Sequence, residues 1–174
     1  MFISAGNNEI FDFASPIGVG MNESTINLTR LALMDKPEYL IYIGSAGSYG
    51  NYKIFDVVES YTGSNIELSF LQNNSYTPIE NVISSKDSET NIVNSSNYIT
   101  TNSEISKKYL RFNIELENME FFSVMRVAQE FDIPVKGIFV VTNYCNSNAH
   151  EDFVKNHEQA KKILIQYIKT LSIK

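Results

Sequence analysis

The fold of this chain is decided by the stretch Glu117-Asn118-Met119-Glu120-Phe121-Phe122, which opens a predicted helix that leads into a buried strand. We predict a helix over 118–131, because apolar side chains recur there at helical spacing: Phe121, Val124, Met125 and Ala128. The strand that follows, Val135 to Val141, is apolar throughout and runs into Thr142 and Asn143. Glu120 is expected on the first turn of the helix, where a glutamate directed into a pocket can bind two adjacent hydroxyls of a sugar.

Strands and helices alternate along the rest of the chain. The segment Tyr39-Leu40-Ile41-Tyr42-Ile43 is a continuous apolar strand of the kind found inside a parallel sheet. A helix is predicted before it, over Ser24 to Met34, with Ser24 or Asn22 as its cap and Pro37 after its end. An apolar stripe marks a long C-terminal helix: Phe153, His157, Ala160, Leu164, Tyr167 and Leu171. This alternation predicts a layered α/β fold in a single domain over 1–174, with sites at the carboxyl ends of the strands.

The remaining segments carry weaker patterns. A short apolar start and a second extended piece, Met1 to Ala5 and Ile10 to Ala14, are separated by a turn at Gly6-Asn7-Asn8. Two further strands, Ile54 to Tyr61 and Ile66 to Leu71, are expected to join at Gly63. Residues 72–107 are polar but contain short β-prone pieces, such as Val82-Ile83 and Tyr98-Ile99. We interpret 72–107 as loops and edge strands.

Composition excludes several classes of function. A net charge of −6 and a pI near 4.9 argue against nucleic acid and anionic membranes as partners, because both require a basic surface. The single cysteine, Cys145, excludes an internal disulfide and fits a reducing cytoplasm. No apolar run approaches the length of a membrane span, and the N-terminus lacks a signal pattern. The composition therefore predicts a cytoplasmic protein, and no metal site or cofactor is expected.

Two glycine-rich turns are candidate ligand sites. Gly18-Val19-Gly20 resembles the start of a dinucleotide fingerprint, but the third glycine of that motif is replaced by Glu23. What remains is a tight turn that leads into a helix N-terminus, where backbone amides are available to an anion or a hydroxyl. The second turn, Gly44-Ser45-Ala46-Gly47, follows the strand 39–43, and its small residues let a ligand approach the backbone closely.

Taken together, four motifs resemble one family. They are Gly18-Val19-Gly20-Met21-Asn22-Glu23-Ser24, Ile43-Gly44-Ser45-Ala46-Gly47, Phe55-Asp56-Val57-Val58 and Asn118-Met119-Glu120. Their order and spacing over roughly residues 16–171 are similar to those of the nucleoside phosphorylase/nucleosidase family. Its members include hexameric bacterial purine nucleoside phosphorylases and the methylthioadenosine/S-adenosylhomocysteine nucleosidases. The resemblance implies a layered α/β/α domain with a central mixed, twisted sheet.

The resemblance also implies roles for sugar-side residues. Glu120 is similar to the glutamate that binds the 2′- and 3′-hydroxyls of ribose, and Met119 to the residue that packs on the sugar. Met21 and Asn22 are expected near the floor under the sugar, and Gly20, in the glycine turn before them, is expected to contribute to substrate binding. Ser45, with the backbone at Gly44, resembles the contact on the side of the attacking phosphate or water.

At the base, Tyr98 resembles the aromatic residue that stacks on the purine. Asn143 falls where the family usually carries an aspartate that protonates the purine at N7. An amide can donate a hydrogen bond there but has no proton to transfer, and a positioned acid contributes about 10² to 10⁴ in rate. His150 and Asp152, which follow the strand, are alternative proton donors.

Other positions depart from the family pattern. The chain resembles a shortened member in which the first strand, its helix and a phosphate-binding glycine loop have no counterpart. The resemblance places in that missing region the acidic residue that activates water in nucleosidases. Phosphorylases of the family usually carry an arginine two residues before the Gly-Ser pair, and Tyr42 stands there. Without arginine, a phosphate dianion loses bidentate charge-assisted hydrogen bonds.

The resemblance implies cleavage of the N-glycosidic bond of a purine nucleoside, with phosphate as the acceptor, as in purine nucleoside phosphorylases. Two alternatives stay open: a hydrolytic nucleosidase that uses water, and a shortened protein that binds nucleosides or partners without turnover. No cofactor is implied. A homodimer or a dimer-based homo-oligomer is expected, because family sites lie near a subunit boundary and the chain is rich in aromatic residues.

Overall fold

The computed structural model describes residues 1–86 and 91–171, and a mixed sheet runs through this part of the chain. Its strands are β1 (Phe2–Ser4), β2 (Ala14–Pro16), β3 (Leu40–Ser48), β4 (Val57–Ser60), β5 (Thr62–Ser64), β6 (Val82–Ser84), β7 (Ile92–Ser95), β8 (Ile114–Asn118) and β9 (Val135–Tyr144). The helices are α1 (Gly20–Asp35), α2 (Leu68–Leu71), α3 (Ser103–Arg111), α4 (Phe121–Glu130) and α5 (Ala149–Leu171).

Strand β3 is the centre of the sheet. It pairs in parallel with β1 and with β9, and its carboxyl end pairs in antiparallel fashion with β8. The register between β3 and β9 shifts at Thr142, so that Ala46 lies opposite Val141 while Gly47 lies opposite Asn143. An extra residue of this kind bends a strand and redirects the side chains beside it. The shift therefore helps to set the direction of the Asn143 side chain.

Alternate residues of β3 and β9 face two different layers, as expected from the two-residue period of a strand. On one face, Tyr42 and Phe139 pack with Phe121 of α4 in a cluster that also contains residues of α1. On the other face, Ile43 and Ile138 pack with α5. Helices thus cover both faces of a mixed sheet, which confirms the predicted layered α/β fold.

The strongest sequence patterns gave the correct elements. The predicted strands 39–43 and 135–141 overlap β3 and β9, the predicted helix over 118–131 contains α4, and the C-terminal stripe forms α5. The turn predicted at Gly44-Ser45-Ala46-Gly47 is wrong, because β3 continues through these residues to Ser48, paired with β9. Val82-Ile83 lies in β6. Among the described residues, no helix is long and apolar enough to cross a membrane.

The predicted strand Ile66 to Leu71 is wrong, because this segment contains the short helix α2. The backbone of Ile66 is bonded by the side chain of Asn94, which accepts from its N–H at 2.7 Å and donates to its carbonyl at 3.1 Å. A buried amide side chain therefore replaces a strand partner. Such long-range partners are not visible in a local pattern.

One helix boundary also differs from prediction, and one helix was not predicted. Helix α1 begins at Gly20 rather than Ser24, and the Ser24 hydroxyl donates to the Gly20 carbonyl at 2.8 Å instead of capping the helix. Gly20 has a φ of +81°, which glycine adopts readily, so the glycine turn itself starts the helix. Helix α3 was missed; it begins within 72–107, the region interpreted as loops and edge strands, and Asn102 caps it by accepting from the N–H of Glu104 at 2.9 Å.

Candidate active site

A cavity of about 350 Å³ opens at the carboxyl ends of β3 and β9 and beside the turn that follows β1. It is lined by backbone and side chains from several separate segments: Ala5 to Glu9, Val19, Ser45 to Gly47, Tyr98, Ile99, Glu117 to Glu120, Thr142, Asn143, Ala149, His150 and Phe153. Its position matches the expectation that ligands bind at the carboxyl ends of strands in α/β folds.

Glu120 lines this cavity and is the N-cap residue of α4. Its Oε1 accepts the Gly20 N–H at 2.8 Å, and its Oε2 accepts the Tyr42 hydroxyl at 2.9 Å. Asn118 donates its amide to the same Oε2 at 2.9 Å and accepts the Glu120 N–H at 2.7 Å. Burial raises the pKa of the Glu120 carboxyl, and the hydrogen bonds from its donors oppose this shift.

Glu9 is a second buried carboxyl in the same cavity. Its Oε1 accepts from Ser45 twice, from the backbone N–H at 2.7 Å and from the hydroxyl at 2.5 Å. Its own backbone is fixed by a hydrogen bond from the Ser4 hydroxyl at 2.8 Å, and His157 bonds the preceding Asn8 carbonyl at 2.8 Å. Glu9 is therefore a positioned carboxyl, and His157 supports the turn that carries it.

The environment of Glu9 prepares it to take up a proton. Burial, together with the nearby charge of Glu120, raises the pKa of Glu9 to about 7, and the Ser45 donors oppose the shift. A general base is most effective when its pKa lies near the working pH. Gly44 makes this arrangement possible, because a Cβ at position 44 would lie 2.8 Å from Oε2 of Glu9. The carboxyl occupies space that only glycine leaves free.

Asn143 also lines the cavity and is buried. Its Oδ1 accepts the Thr142 hydroxyl at 2.8 Å, which orients the amide. Its Nδ2 makes a long hydrogen bond of 3.3 Å to the Tyr144 carbonyl, so a ligand acceptor can compete for this donor. The arrangement presents an N–H donor, and not an acid, to a group bound beside it.

The structure brings most of the predicted site residues together. Ser45, Met119, Glu120 and Asn143 line the cavity, and Tyr98 lies at its exposed rim. Three predicted residues do not line it. Gly20 acts through its N–H on Glu120, and Gly44 lies behind Glu9.

Met21 is the third, and it packs against the hydrophobic core. Of the two alternative proton donors, His150 lines the cavity at the start of α5, whereas Asp152 does not.

Charge inside the cavity is of one sign. Glu9, Glu117 and Glu120 contribute carboxyl groups to its lining, and among the described residues that line it there is neither arginine nor lysine. Tyr42, at the position where the family's phosphorylases carry arginine, donates its hydroxyl to Glu120 and does not face an anion site. A phosphate dianion in this cavity would meet like charges without a cationic partner.

Two buried carboxyl side chains that line the cavity, Glu9 and Glu117, were missed by the sequence analysis. The expectation that the site lacks an acidic residue before the glycine turns is wrong, since Glu9 enters the cavity from the turn after β1. The sequence contained a signal for Glu9, since a short apolar strand and a glycine turn precede it. Because β1 runs parallel to β3, both strands end at the same edge of the sheet. Glu117 was given no role in the sequence analysis, yet its side chain lines the cavity.

Comparison with known proteins bears on the family and the fold. The family model described as the phosphorylase superfamily matches residues 90–172. A futalosine hydrolase mutant of Helicobacter pylori strain 26695 has a similar structure with a TM-score of 0.83 at 15% identity, covering 98% of this chain and 96% of that chain. The Helicobacter pylori MTAN-D198N mutant with 5′-methylthioadenosine in its active site gives a TM-score of 0.79 at 18% identity, covering 91% and 78%.

A third structure, the Streptococcus pneumoniae MTA/SAH nucleosidase in complex with 8-aminoadenine, gives a TM-score of 0.76 at 15% identity. It covers 96% of this chain and 95% of that chain. No curated protein matches the sequence. The family model and the shared fold confirm the resemblance to the nucleoside phosphorylase/nucleosidase family.

Proposed function

We propose that this protein hydrolyses the N-glycosidic bond of a purine nucleoside, with water as the attacking group. The observation that carries this proposal is the pair of buried carboxyls, Glu9 and Glu120, in one cavity. Glu120 offers oxygens to the ribose hydroxyls, and Glu9 offers a base of suitable pKa to a water molecule. Nucleosidases and a futalosine hydrolase are among the most similar solved structures, which supports hydrolysis.

The charge of the cavity favours water over phosphate. The phosphorylase prediction is not confirmed, and the hydrolytic alternative is better supported. Ser45, predicted to contact phosphate or water, directs both its N–H and its hydroxyl to Glu9. These donors are therefore engaged in holding a base. A neutral water molecule fits beside this carboxylate, whereas a phosphate dianion would be repelled by it.

The reaction follows from these positions. Glu120 holds the ribose so that C1′ lies near Glu9, and the bond between C1′ and the purine nitrogen breaks with its electron pair going to the base. The sugar acquires positive charge, which the carboxylates of the cavity stabilise. Water bonds to C1′ as Glu9 accepts its proton, and solvent later takes that proton from Glu9. The products are the free base and ribose.

Departure of the base depends on Asn143. The Nδ2 group can donate a hydrogen bond to N7 and stabilise the negative charge that develops on the purine. The amide cannot transfer a proton, so the leaving base takes its proton from water. This contribution is weaker than general acid catalysis, which is worth about 10² to 10⁴ in rate.

Replacement of Asn143 by aspartate is therefore expected to raise base release about 10-fold or more. The new carboxyl must be protonated, which burial beside a purine favours by raising its pKa. Because Glu9 must be deprotonated at the same time, rates should be measured across the neutral pH range by chromatography of the free base. Asp152→Asn, outside the cavity, is the matched control.

A lower rate in Asn143→Asp, with nucleoside binding unchanged, would show that the leaving base requires an amide donor. If wild type and variant both bind nucleosides and neither releases base, the protein is a nucleoside-binding protein without turnover. That second candidate is favoured by one observation, the amide in place of an acid.

The proposal as a whole is tested with a panel of purine and pyrimidine nucleosides incubated with and without phosphate. We expect base release from purine nucleosides at the same rate in both conditions. Base release that depends on phosphate would contradict hydrolysis. The absence of base release from every nucleoside in the panel would contradict glycosidic cleavage. The homodimer and the cytoplasmic location stay predictions.

A further inference from the structure

His157 is a buried side chain of α5 that the hydrolysis mechanism does not use. It is 7% exposed, and its ring packs against that of Phe153 with centroids 4.9 Å apart. Its Nε2 bonds the Asn8 carbonyl at 2.8 Å, whereas its Nδ1 is buried and has no hydrogen-bond partner within the described ranges 1–86 and 91–171. A buried polar atom without a partner is destabilising, so Nδ1 favours a ligand of its own.

The bond to Asn8 determines the kind of ligand that Nδ1 can take. A carbonyl oxygen only accepts hydrogen bonds, so Nε2 carries the hydrogen and donates it. In a neutral imidazole the other nitrogen is then an acceptor. Nδ1 of His157 therefore requires a group that donates a hydrogen bond.

A second, smaller pocket of about 10 Å³ lies beside the His157 ring. It shares Glu9 and Ser45 with the larger cavity but extends beneath α5, where His157 and Lys161 provide its other polar side chains. The rest of its lining is glycine and apolar side chains. Such a volume is close to the smallest that holds one water molecule, and a buried water typically has about two to four polar partners. Size and lining both fit a single water molecule.

The polar groups of the smaller pocket are complementary to water. The Ser45 hydroxyl donates to Oε1 of Glu9 at 2.5 Å, so its oxygen keeps lone pairs that can accept. Nδ1 of His157 is a second acceptor, and the Lys161 ammonium group only donates. One water molecule can donate to Ser45 and to His157 and accept from Lys161. Water therefore satisfies all three groups at once.

We propose that the smaller pocket binds one water molecule that links His157 to Ser45 and Glu9, and that His157 is thereby a positioning residue for the Glu9 base. The inference rests on the proposed function, since it takes Glu9 to accept the proton of the attacking water. The linking water is distinct from the attacking water, because it lies beneath α5 and not in the nucleoside cavity. A hydrogen bond donated to Ser45 strengthens the bond that Ser45 donates to Glu9, since hydrogen bonds in a chain polarise one another.

His157 also holds the turn from which Glu9 projects. The Glu9 N–H donates to the Gly6 carbonyl at 2.8 Å and closes this turn, and Asn7 within it has a φ of +52°. Nε2 of His157 ties Asn8 of the same turn to α5. The two nitrogens of one ring therefore act on Glu9 by two routes, Nε2 through the backbone of the turn and Nδ1 through water and Ser45.

The water link should influence the pH at which Glu9 becomes a base. Burial raises the pKa of Glu9 to about 7, and the charge of Glu120 adds to this shift, whereas the Ser45 donors and the charge of Lys161 oppose it. The Tyr42 hydroxyl lies beside both carboxyls and donates to Glu120. Loss of the water that supports Ser45 weakens a donor to the charged form, so the pKa of Glu9 should rise further.

Two substitutions separate the two routes. His157→Gln keeps a side-chain N–H for the Asn8 carbonyl but lacks Nδ1, and His157→Phe lacks both groups. For His157→Gln, the rise of kcat with pH should move upward by about 0.5–1 pH unit, which lowers kcat at pH 7 about 2- to 5-fold, and KM should change little. His157→Phe should lower kcat further, because the turn also loses its anchor. Gln159→Ala, a neutral change on the exposed side of α5, is the matched control and should leave the pH profile unchanged.

Melting temperatures distinguish this role from a purely structural one. Lower melting temperatures in both His157 variants, with the pH dependence of kcat unmoved, would overturn the proposal. A ¹³C NMR titration of the Glu9 carboxyl, identified by its loss in Glu9→Gln, should show the same upward shift of the pKa in His157→Gln without any turnover.

A crystal structure of the wild type tests the water directly and needs no variant to fold. It should show one water molecule within hydrogen-bonding distance of Nδ1 of His157 and of the Ser45 hydroxyl. A dry pocket, or Lys161 bonded directly to Nδ1, would contradict the proposal. If the wild type cleaves no nucleoside, the proposed function fails, while the NMR titration and the crystal structure still decide whether His157 and its water act on Glu9.

Discussion

Glu9→Gln is expected to lower the kcat of base release roughly 100- to 10,000-fold, because it removes the group that accepts the proton of the attacking water. The glutamine oxygen can still accept both hydrogen bonds from Ser45, so the local structure should be kept. Nucleoside affinity should change little. In wild type, kcat should rise with pH as Glu9 ionises around its pKa of about 7.

Thermal stability provides the control for this variant. The pKa of Glu9 is raised in the folded protein from 4.5 to about 7, so between these values the folded state binds more protons than the unfolded state. The stability of wild type therefore falls as pH rises through this window and stays lower above it. Glu9→Gln lacks this cost and should melt higher than wild type at alkaline pH. An unchanged kcat in a folded Glu9→Gln protein would exclude Glu9 as the base, and Glu151→Gln on the exposed start of α5 is the matched control.

Glu120→Gln is expected to weaken nucleoside binding about 10- to 100-fold, since hydrogen bonds to a charged group are worth about 1.5–3 kcal/mol. The carboxylate receives donors from Gly20, Tyr42 and Asn118, and an amide at this position turns one acceptor into a donor that opposes them. Ribose hydroxyls then lose the anionic acceptor. Affinity is measured by calorimetry with a purine nucleoside.

The melting temperature of Glu120→Gln should remain close to that of wild type. The variant removes a buried charge, which stabilises the fold, but creates a conflict between donors, which destabilises it, so the two effects oppose each other. Unchanged affinity, or collapse of the fold, would show that Glu120 serves only to start α4.

The parts of the fold predicted from sequence are those governed by local periodicity. The strands in β3 and β9 and the helices α4 and α5 have long apolar patterns, which follow directly from the geometry of each element. The strand prediction for Ile66 to Leu71 was wrong because the backbone of Ile66 is bonded by the side chain of Asn94, which is distant in sequence. Helix α3 was not predicted because its charged residues lie within a polar region. Its cap, Asn102, also looks like an ordinary loop residue in the sequence.

The candidate site divides in the same way. Glu120, Ser45 and Asn143 were predicted because each lies within or after a strong local motif. Glu9 and Glu117 were not predicted as site residues, because their positions in the cavity depend on which strands pair in the sheet. Parallel pairing of β1 with β3 brings Glu9 to Ser45, and antiparallel pairing of β8 with β3 brings Glu117 to Gly47. Pairing of this kind is a property of the whole sheet.

Identification of the sugar product tests the central claim most directly. A cleaved purine nucleoside is incubated with the wild-type protein in the presence of phosphate, and the sugar is analysed by chromatography or NMR. Hydrolysis with Glu9 as the base predicts free ribose, in an amount equal to the base released and independent of phosphate. Ribose 1-phosphate as the product, formed only when phosphate is present, would contradict it.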